Sequence, residues 1–177
     1  MSASISISSL TTEQAERHLA ELGAVLHACV HGGASVGFVL PYSLADAQSY
    51  WRDRVLPGLR DGGLTLLVAR RGDAIAGTVQ LDCATMPNQT HRADVCKLLV
   101  HPDHRRLGLA RALMTEVERL AREAGRTLLT LDTRTGDPAQ RLYAGLGYQV
   151  AGMIPGYARD PSGAARYDAT TLMYKLL

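Results

Sequence analysis

The chain has 177 residues, with 19 Lys+Arg against 17 Asp+Glu for a formal net charge of +2, and 46% of its residues are hydrophobic. That is the length and composition of one globular domain, 1–177, with enough apolar surface for a buried core. The near-neutral balance excludes a bulk polyanion binder, and no run approaches the ~20 apolar residues that cross a bilayer, so neither nucleic acid nor membrane is an expected partner.

Met1 to Ile7 carries neither the basic nor the apolar region of a secretory leader, so a soluble, cytoplasmic chain is expected. Ser4 to Ser8 alternates polar and apolar residues with period two and reads as a short strand. Thr11-x-x-Gln14 is a capping box. It opens a helix whose apolar stripe runs Ala15, Leu19, Leu22, Leu26 and Cys29, ending at Gly32-Gly33. A second helix is predicted from near Ser43 through Leu44, Ala47, Trp51 and Val55, closed by Pro57 and Gly62-Gly63. Leu64–Ala69 and Ala74–Cys83 are β-rich runs joined by a tight turn at Arg70 to Asp73, and Ala93–Val100 is a third strand.

The pattern then becomes strand, helix, strand, helix, strand. Gly108–Ala124 is amphipathic through Leu109, Leu113, Val117 and Leu120, and Gly125 stops it. Thr127–Thr133 is an apolar strand, and Asp137-Pro138 starts a short helix through Ala144. Tyr148–Ile154 and Tyr167–Leu176 are the last strands. Antiparallel hairpins in the first half and one parallel crossover in the second predict a mixed α/β fold, with a mostly antiparallel central sheet and flanking helices. The three cysteines, Cys29, Cys83 and Cys96, include no CxxC pair and lie among apolar neighbours, which argues for small buried thiols in a reducing compartment.

The chemistry concentrates between Val95 and Ala110. A strand ends, Arg105 and Arg106 sit on the following loop, and a helix opens at Gly108-Leu109-Ala110. Helix N-termini present unpaired N–H groups and a partial positive charge to phosphate. Gly108 and Ala110 admit a bulky anion to the backbone, and the arginines add charge-assisted contacts. No GxGxxG and no GK[ST] occurs, so this is neither a dinucleotide fingerprint nor a P-loop. The same residues also fit an ordinary strand-to-helix turn with a solvated arginine pair.

Arg105-Arg106-Leu107-Gly108-Leu109-Ala110 resembles the pyrophosphate loop of the GCN5-related N-acetyltransferase (GNAT) family, Arg/Gln-x-x-Gly-x-Gly/Ala. Leu142-Tyr143-Ala144-Gly145-Leu146-Gly147-Tyr148 resembles the family's second motif, at the usual separation. The resemblance implies the acyl-CoA N-acyltransferase fold and acetyl-CoA as cosubstrate. Leu98, Leu99, Val100, Arg105, Arg106, Leu107, Gly108, Leu109, Ala110 and Arg111 would bind it, with Gly136 where many members carry an Asn for the pantetheine arm. The segment His31 to Phe38, Leu131-Asp132-Thr133, Gly136 and Pro155-Gly156-Tyr157 are similar to a branch of the family that acetylates a β-lactam amino-acid toxin, which implies a role in resistance or self-protection.

Acyl transfer to an amine needs a deprotonated nucleophile, a stabilised oxyanion and a protonated leaving thiolate. An alkylammonium with pKa near ~10 must lose a proton, so a carboxylate is the expected base. Asp94 stands where family members often carry that carboxylate, and Asp132 ends the neighbouring strand; a strand-edge ion pair and a loop cap are the plain alternatives. Tyr143 occupies the position from which members protonate the thiolate, although a helix tyrosine with its ring in the core fits as well. A backbone N–H beside Leu99 would polarise the thioester carbonyl. Phe38, Trp51 and Tyr157 are candidates for the acceptor pocket, with core packing an equal reading of Trp51. Tyr157 and Arg159 follow a Pro-Gly turn, on a segment able to close over substrate.

His27/His31 and His101/His104 lack a third ligand, and no metal is expected. Within the enzyme reading the small-molecule amine could be a toxin-like amino acid, a polyamine or an aminoglycoside, or a protein N-terminus could take its place. The competing class is a non-catalytic CoA-binding sensor on the same fold. Strand Tyr167–Leu176 is the expected edge of a homodimer.

Overall fold

In the computed structural model, which describes residues 4–177, seven strands form one sheet in the order β1-β2-β3-β4-β5-β7-β6. They are β1 (Ile5–Leu10), β2 (Leu64–Arg71), β3 (Ala74–Asp82), β4 (Arg92–Val100), β5 (Leu128–Arg134), β6 (Gln149–Arg159) and β7 (Tyr167–Leu176). Met1 to Ala3, the start of the stretch read for a leader, lie outside the described residues. Every pairing is antiparallel except β4 with β5, which are joined by the crossover helix α5 (Leu109–Glu123). The mixed, mostly antiparallel α/β fold read from the sequence is the one observed.

Period-two alternation sorts the strands' side chains onto two cores. Leu67, Val79, Leu81, Val95 and Leu129 meet Leu109, Leu113, Met114 and Val117 of α5 on one face. Leu66, Val68 and Leu99 meet Leu22, Leu26, Trp51 and Val55 on the other. Each fully buried Leu or Val contributes roughly 1.5–3 kcal/mol, so helices this short are held by packing more than by intrinsic propensity.

The N-terminal helical pattern departs from the single helix predicted. Thr11 caps α1 (Thr12–Arg17) through a complete capping box, but His18 (φ −99°, ψ 15°) ends it before α2 (Leu19–His31) begins. The imidazole leaves the apolar stripe to bond the Glu21 carboxylate at 2.7 Å and the Arg70 guanidinium at 3.0 Å. The second predicted helix is likewise divided: α3 (Leu44–Tyr50), capped by Ser43 and Asp46, passes through a wide π turn at Trp51–Val55 into α4 (Leu56–Arg60). That turn leaves both Trp51 and Val55 buried in the core.

Strand β7 is not the sheet edge. It lies between β5 and β6, and the free edge belongs to β6, which reaches five residues beyond its predicted end at Ile154. Among the described residues, no helix is long and apolar enough to cross a membrane.

Candidate active site

Strands β4 and β5 pair only from Arg92–Asp94 against Leu128–Thr130. Beyond Asp94 the two strands part, and the edge of β4 that faced β5 loses its partner. The register against β3 also slips: Thr78 pairs with Leu99 and Gln80 with Cys96, leaving Lys97 and Leu98 opposite Val79 alone. This bulge holds Lys97 at φ 50°, a left-handed backbone that an L-residue adopts at a cost. The Thr78 hydroxyl donates to the Lys97 carbonyl at 3.1 Å and supports it. A Cβ at Gly77 would stand 2.7 Å from the Leu99 carbonyl, so glycine is required there for the strands to approach.

Two cavities open at this divergence. They share Ala34, Leu98, Arg134, Asp137 and Ala139 as a common wall.

The larger cavity, about 570 Å³, runs from Leu98, Leu99 and Val100 to the start of α5, with Gly32 and Gly33 lining it as well. Arg106 (φ 65°) and Gly108 (φ 83°) are left-handed and turn the loop into the helix. Among the described residues, no carbonyl accepts from the backbone N–H groups of Arg106 to Arg111; the first accepted bond of the helix is Ala112 N–H to Gly108 at 3.0 Å. The first turn of α5 carries no acidic residue, so nothing in it offsets the partial positive charge of the helix end. Arg105 donates through Nε to the Val100 carbonyl at 3.4 Å, and Arg106 and Arg111 form no ion pair among the described residues. Free N–H groups, three guanidinium groups and a glycine-lined surface make a site for a phosphate-bearing ligand with an extended apolar arm.

Two of the residues predicted for this role lie elsewhere. Leu107 is exposed and Gly136 (φ 85°) lies on the turn before α6 (Pro138–Ala144), and neither lines the cavity. The Gly136 N–H donates to the Gln140 side chain at 2.8 Å, bracing that turn instead. Asp137 occupies the N-cap of α6, yet its carboxylate accepts from Arg134 Nε at 3.0 Å rather than capping the helix.

The smaller cavity, about 350 Å³, is lined by Ala34 to Gly37, by Val95 to Leu98 and by Asp132, Tyr143, Tyr157 and Thr170. The buried Thr170 hydroxyl lies 2.9 Å from Asp132 Oδ2 and 3.1 Å from the Thr133 carbonyl, sharing its one proton between them and holding the carboxylate in place. Tyr143 is buried, and its hydroxyl makes no hydrogen bond among the described residues. Burial, reinforced by Asp132 and Cys96, pushes its phenol well above the ordinary range, so it stays protonated. Burial also raises the Cys96 thiol to about 11, which leaves it an inert neutral group. The loop Gly33–Gly37 is clipped over the site by Arg134, which donates to the Gly33 carbonyl at 3.2 Å and pairs with Asp137 and Asp168.

Asp94 does not line this cavity. Its carboxylate pairs with Arg92 at 2.7 Å and accepts from the Thr130 hydroxyl, at the last point where β4 and β5 are joined. Trp51 is a correction: its side chain is buried in the core beneath α2 and touches neither cavity, because it follows Ala47 by four residues on the helix face that packs inward. Phe38 stacks against Tyr42 and Tyr50 just outside the smaller cavity, with Lys97 Nζ 5.8 Å from its ring. Tyr157 lines the rim, but from β6 rather than from a closing loop; a register shift between Ile154 and Ala158 bends the strand there.

The acetyltransferase (GNAT) family description matches residues 37–148, which include the diverging strands β4 and β5 and helix α5. The chain belongs to that family. Among curated relatives it is 35% identical over 96 residues to N-acetyltransferase 8B of Rattus norvegicus, covering 53% of this chain and 43% of that one. It is also 35% identical over 107 residues to an uncharacterized N-acetyltransferase encoded between hisH and hisA in Azospirillum brasilense, covering 59% and 61%. The chain thus spans about half the length of the curated relatives it matches. In three dimensions it is similar to yncA of Salmonella typhimurium, solved with its cofactor acetyl-CoA, at TM-score 0.77 and 18% identity over 98% of this chain and 94% of that one. A ribosomal-protein-alanine N-acetyltransferase of Brucella melitensis superposes with TM-score 0.78 at 21% identity, covering 97% and 99%. These likenesses show the GNAT fold.

Lys97 is the residue that sequence reasoning missed. Its signal was there: one of two lysines in the chain, set alone in the apolar run Val95-Cys96-Lys97-Leu98-Leu99. Thr170 and Arg134 carry no comparable signal, since only the β5–β7 pairing brings them to the site.

Proposed function

We propose that the chain, acting as one domain over 1–177, is an N-acetyltransferase that moves the acetyl group of acetyl-CoA directly to the amine of a small molecule. The observation that carries this is the pair of cavities meeting at the β4–β5 divergence, one built for phosphate and an extended arm, the other holding a fixed carboxylate and a free phenol. A sensor that only bound CoA would have no use for the second.

Acetyl-CoA supplies the activated thioester; the chain does the rest. The N–H groups of Gly108–Arg111, with Arg105, Arg106 and Arg111, hold the pyrophosphate. The unpaired edge of β4 at Leu98–Val100 positions the pantetheine amides. Asp132, kept in place by Thr170, takes the proton from the incoming ammonium, and Tyr143 donates its proton to the departing sulfur. Asp94, which lies outside the acceptor cavity and bonds Arg92 and Thr130 through one oxygen, shapes the strand junction and the local field, so the base role falls to Asp132 within the cavity.

The loop lining the acceptor side is the segment His31–Phe38 that resembles the tabtoxin resistance protein, and this supports a β-lactam amino-acid toxin as acceptor and resistance as the biological role. The test is acetyl-CoA-dependent thiol release with and without tabtoxinine-β-lactam, checking the product for one added acetyl group. Release with the mass gain establishes the reaction and the acceptor. Failure with the toxin, while other amines are acetylated, removes that acceptor and keeps the chemistry.

A further inference from the structure

Lys97 has no task in the mechanism above, and its surroundings are unusual. It and Lys175 are the chain's two lysines. Lys175 is fully employed, donating to Glu118 at 2.7 Å and to the Leu146 carbonyl at 2.6 Å. Lys97 Nζ finds no carbonyl or carboxylate among the described residues. It hangs 5.6 Å from the Tyr50 ring centroid and 5.8 Å from that of Phe38, over aromatic faces that hold a cation without neutralising it. A Cβ added at Gly37 would stand 3.8 Å from it, so the Ala34–Gly37 loop closes directly over this ammonium. Its backbone is one of two left-handed non-glycine positions in the described chain, the other being Arg106 in the phosphate loop.

A half-buried cation with no hydrogen-bonded partner is expensive, and removal from water depresses its pKa despite the opposing pull of the nearby Asp132 carboxylate. Strained backbone and an unpaired buried charge persist where something else completes the arrangement. Lys97 and Gly37 both line the acceptor cavity, so this ammonium stands at its wall, where an anionic group of a ligand could pair with it. The cosubstrate's phosphates are provided for at the other cavity by Arg105, Arg106 and Arg111. The remaining charged groups of the acceptor wall are committed: Arg134 to Asp137 and Asp168, and one oxygen of Asp132 to Thr170.

We propose that Lys97 binds the carboxylate of the acceptor, which is therefore an amino acid, its carboxylate on Lys97 Nζ and its amine at the free oxygen of Asp132. This rests on the acetyltransferase reading and narrows its substrate class: polyamines and aminoglycosides carry no anion for Lys97 to pair.

The experiment uses the full chain with acetyl-CoA and pairs of probes, each common L-amino acid against its carboxamide. Calorimetry with acetyl-CoA comes first; absence of binding would sink the underlying acetyltransferase reading and is told apart in that way. With lysines labelled at Cε, the protein gives two side-chain signals, and Lys97→Met assigns them. The accepted amino acids should shift the Lys97 signal and raise its titration midpoint by about one pH unit, while their carboxamides do not. Turnover should favour acid over amide about tenfold or more, with the preference kept in Lys97→Arg and erased in Lys97→Met. A Lys97 signal that no amino acid moves overturns the proposal. So does equal turnover of acids and amides, or a Lys97→Met variant that slows both alike, which would make Lys97 a proton acceptor instead.

Discussion

The two cavities at the β4–β5 divergence are built from different materials. The larger is mostly backbone: unpaired N–H groups at the start of α5, glycines 32 and 33 opposite, and an open strand edge. The smaller is mostly side chain: Asp132 from β5, Lys97 from the bulge in β4, Tyr143 from α6 and Thr170 from β7. On the proposed reading, backbone recognition serves the invariant cosubstrate, whereas side chains gathered from distant segments set the specificity for the acceptor. The first cavity should therefore fail all at once when its loop is distorted, and the second should fail function by function.

The largest effect is expected from Gly108→Asp. It forces a Cβ onto a residue at φ 83° and brings a carboxylate to the helix end proposed to take the phosphates. Acetyl-CoA affinity measured by calorimetry should fall by about 100-fold or more. Normal affinity would remove the larger cavity as the cosubstrate site.

Asp132→Asn should lower kcat by about 100-fold while leaving acetyl-CoA affinity within about twofold, as loss of a general base does. Asp94→Asn serves as its contrast and should cost less than about tenfold, because that carboxylate is tied to Arg92 and Thr130 outside the cavity. A reversed order of the two effects would transfer the base role to Asp94. Tyr143→Phe should reduce kcat by about 10- to 100-fold with thioester substrates, and by much less with an acyl donor whose leaving group needs no proton. Equal loss with both donors would mean that the ring, rather than the hydroxyl, matters.

The smallest effect concerns stability. Lys97 has a folded-state pKa below its unfolded value of 10.5, so the folded chain binds fewer protons than the unfolded one in the window between them. Its cost to folding is fully present below the lowered pKa and is relieved as pH rises toward 10.5. Lys97→Met should raise Tm by about 3 °C at pH 7, with the gain shrinking as pH rises through that window. An unchanged Tm across the range would mean that Lys97 is not destabilising and would weaken the case for an anion-binding role.

The contrast between the cavities also explains what could be read without coordinates. The loop proposed for phosphate was legible as a contiguous string, Arg105 to Ala110, because a helix N-terminus is a local object and its glycine and small residue are local requirements. Tyr143 and Asp132 were legible by their places in motifs. Lys97 was passed over because nothing in its own segment says that a bulge turns it toward Phe38 and Tyr50. Trp51 was open to two readings since a helical stripe that includes it fits a core position as well as a pocket, and only the packing of that face decides between them.

Alternation and capping in the sequence by themselves determined the seven strands and their order along the chain, including Tyr167–Leu176, because these depend on neighbours within a few residues, while the breaks that divide the two N-terminal helices were not read. Only the tertiary structure decided that this strand inserts between β5 and β6 rather than at the edge, thereby carrying Thr170 to Asp132. It alone decided where β4 and β5 part company. Sheet order and strand divergence arise from contacts between segments far apart in the chain, and no local pattern encodes them.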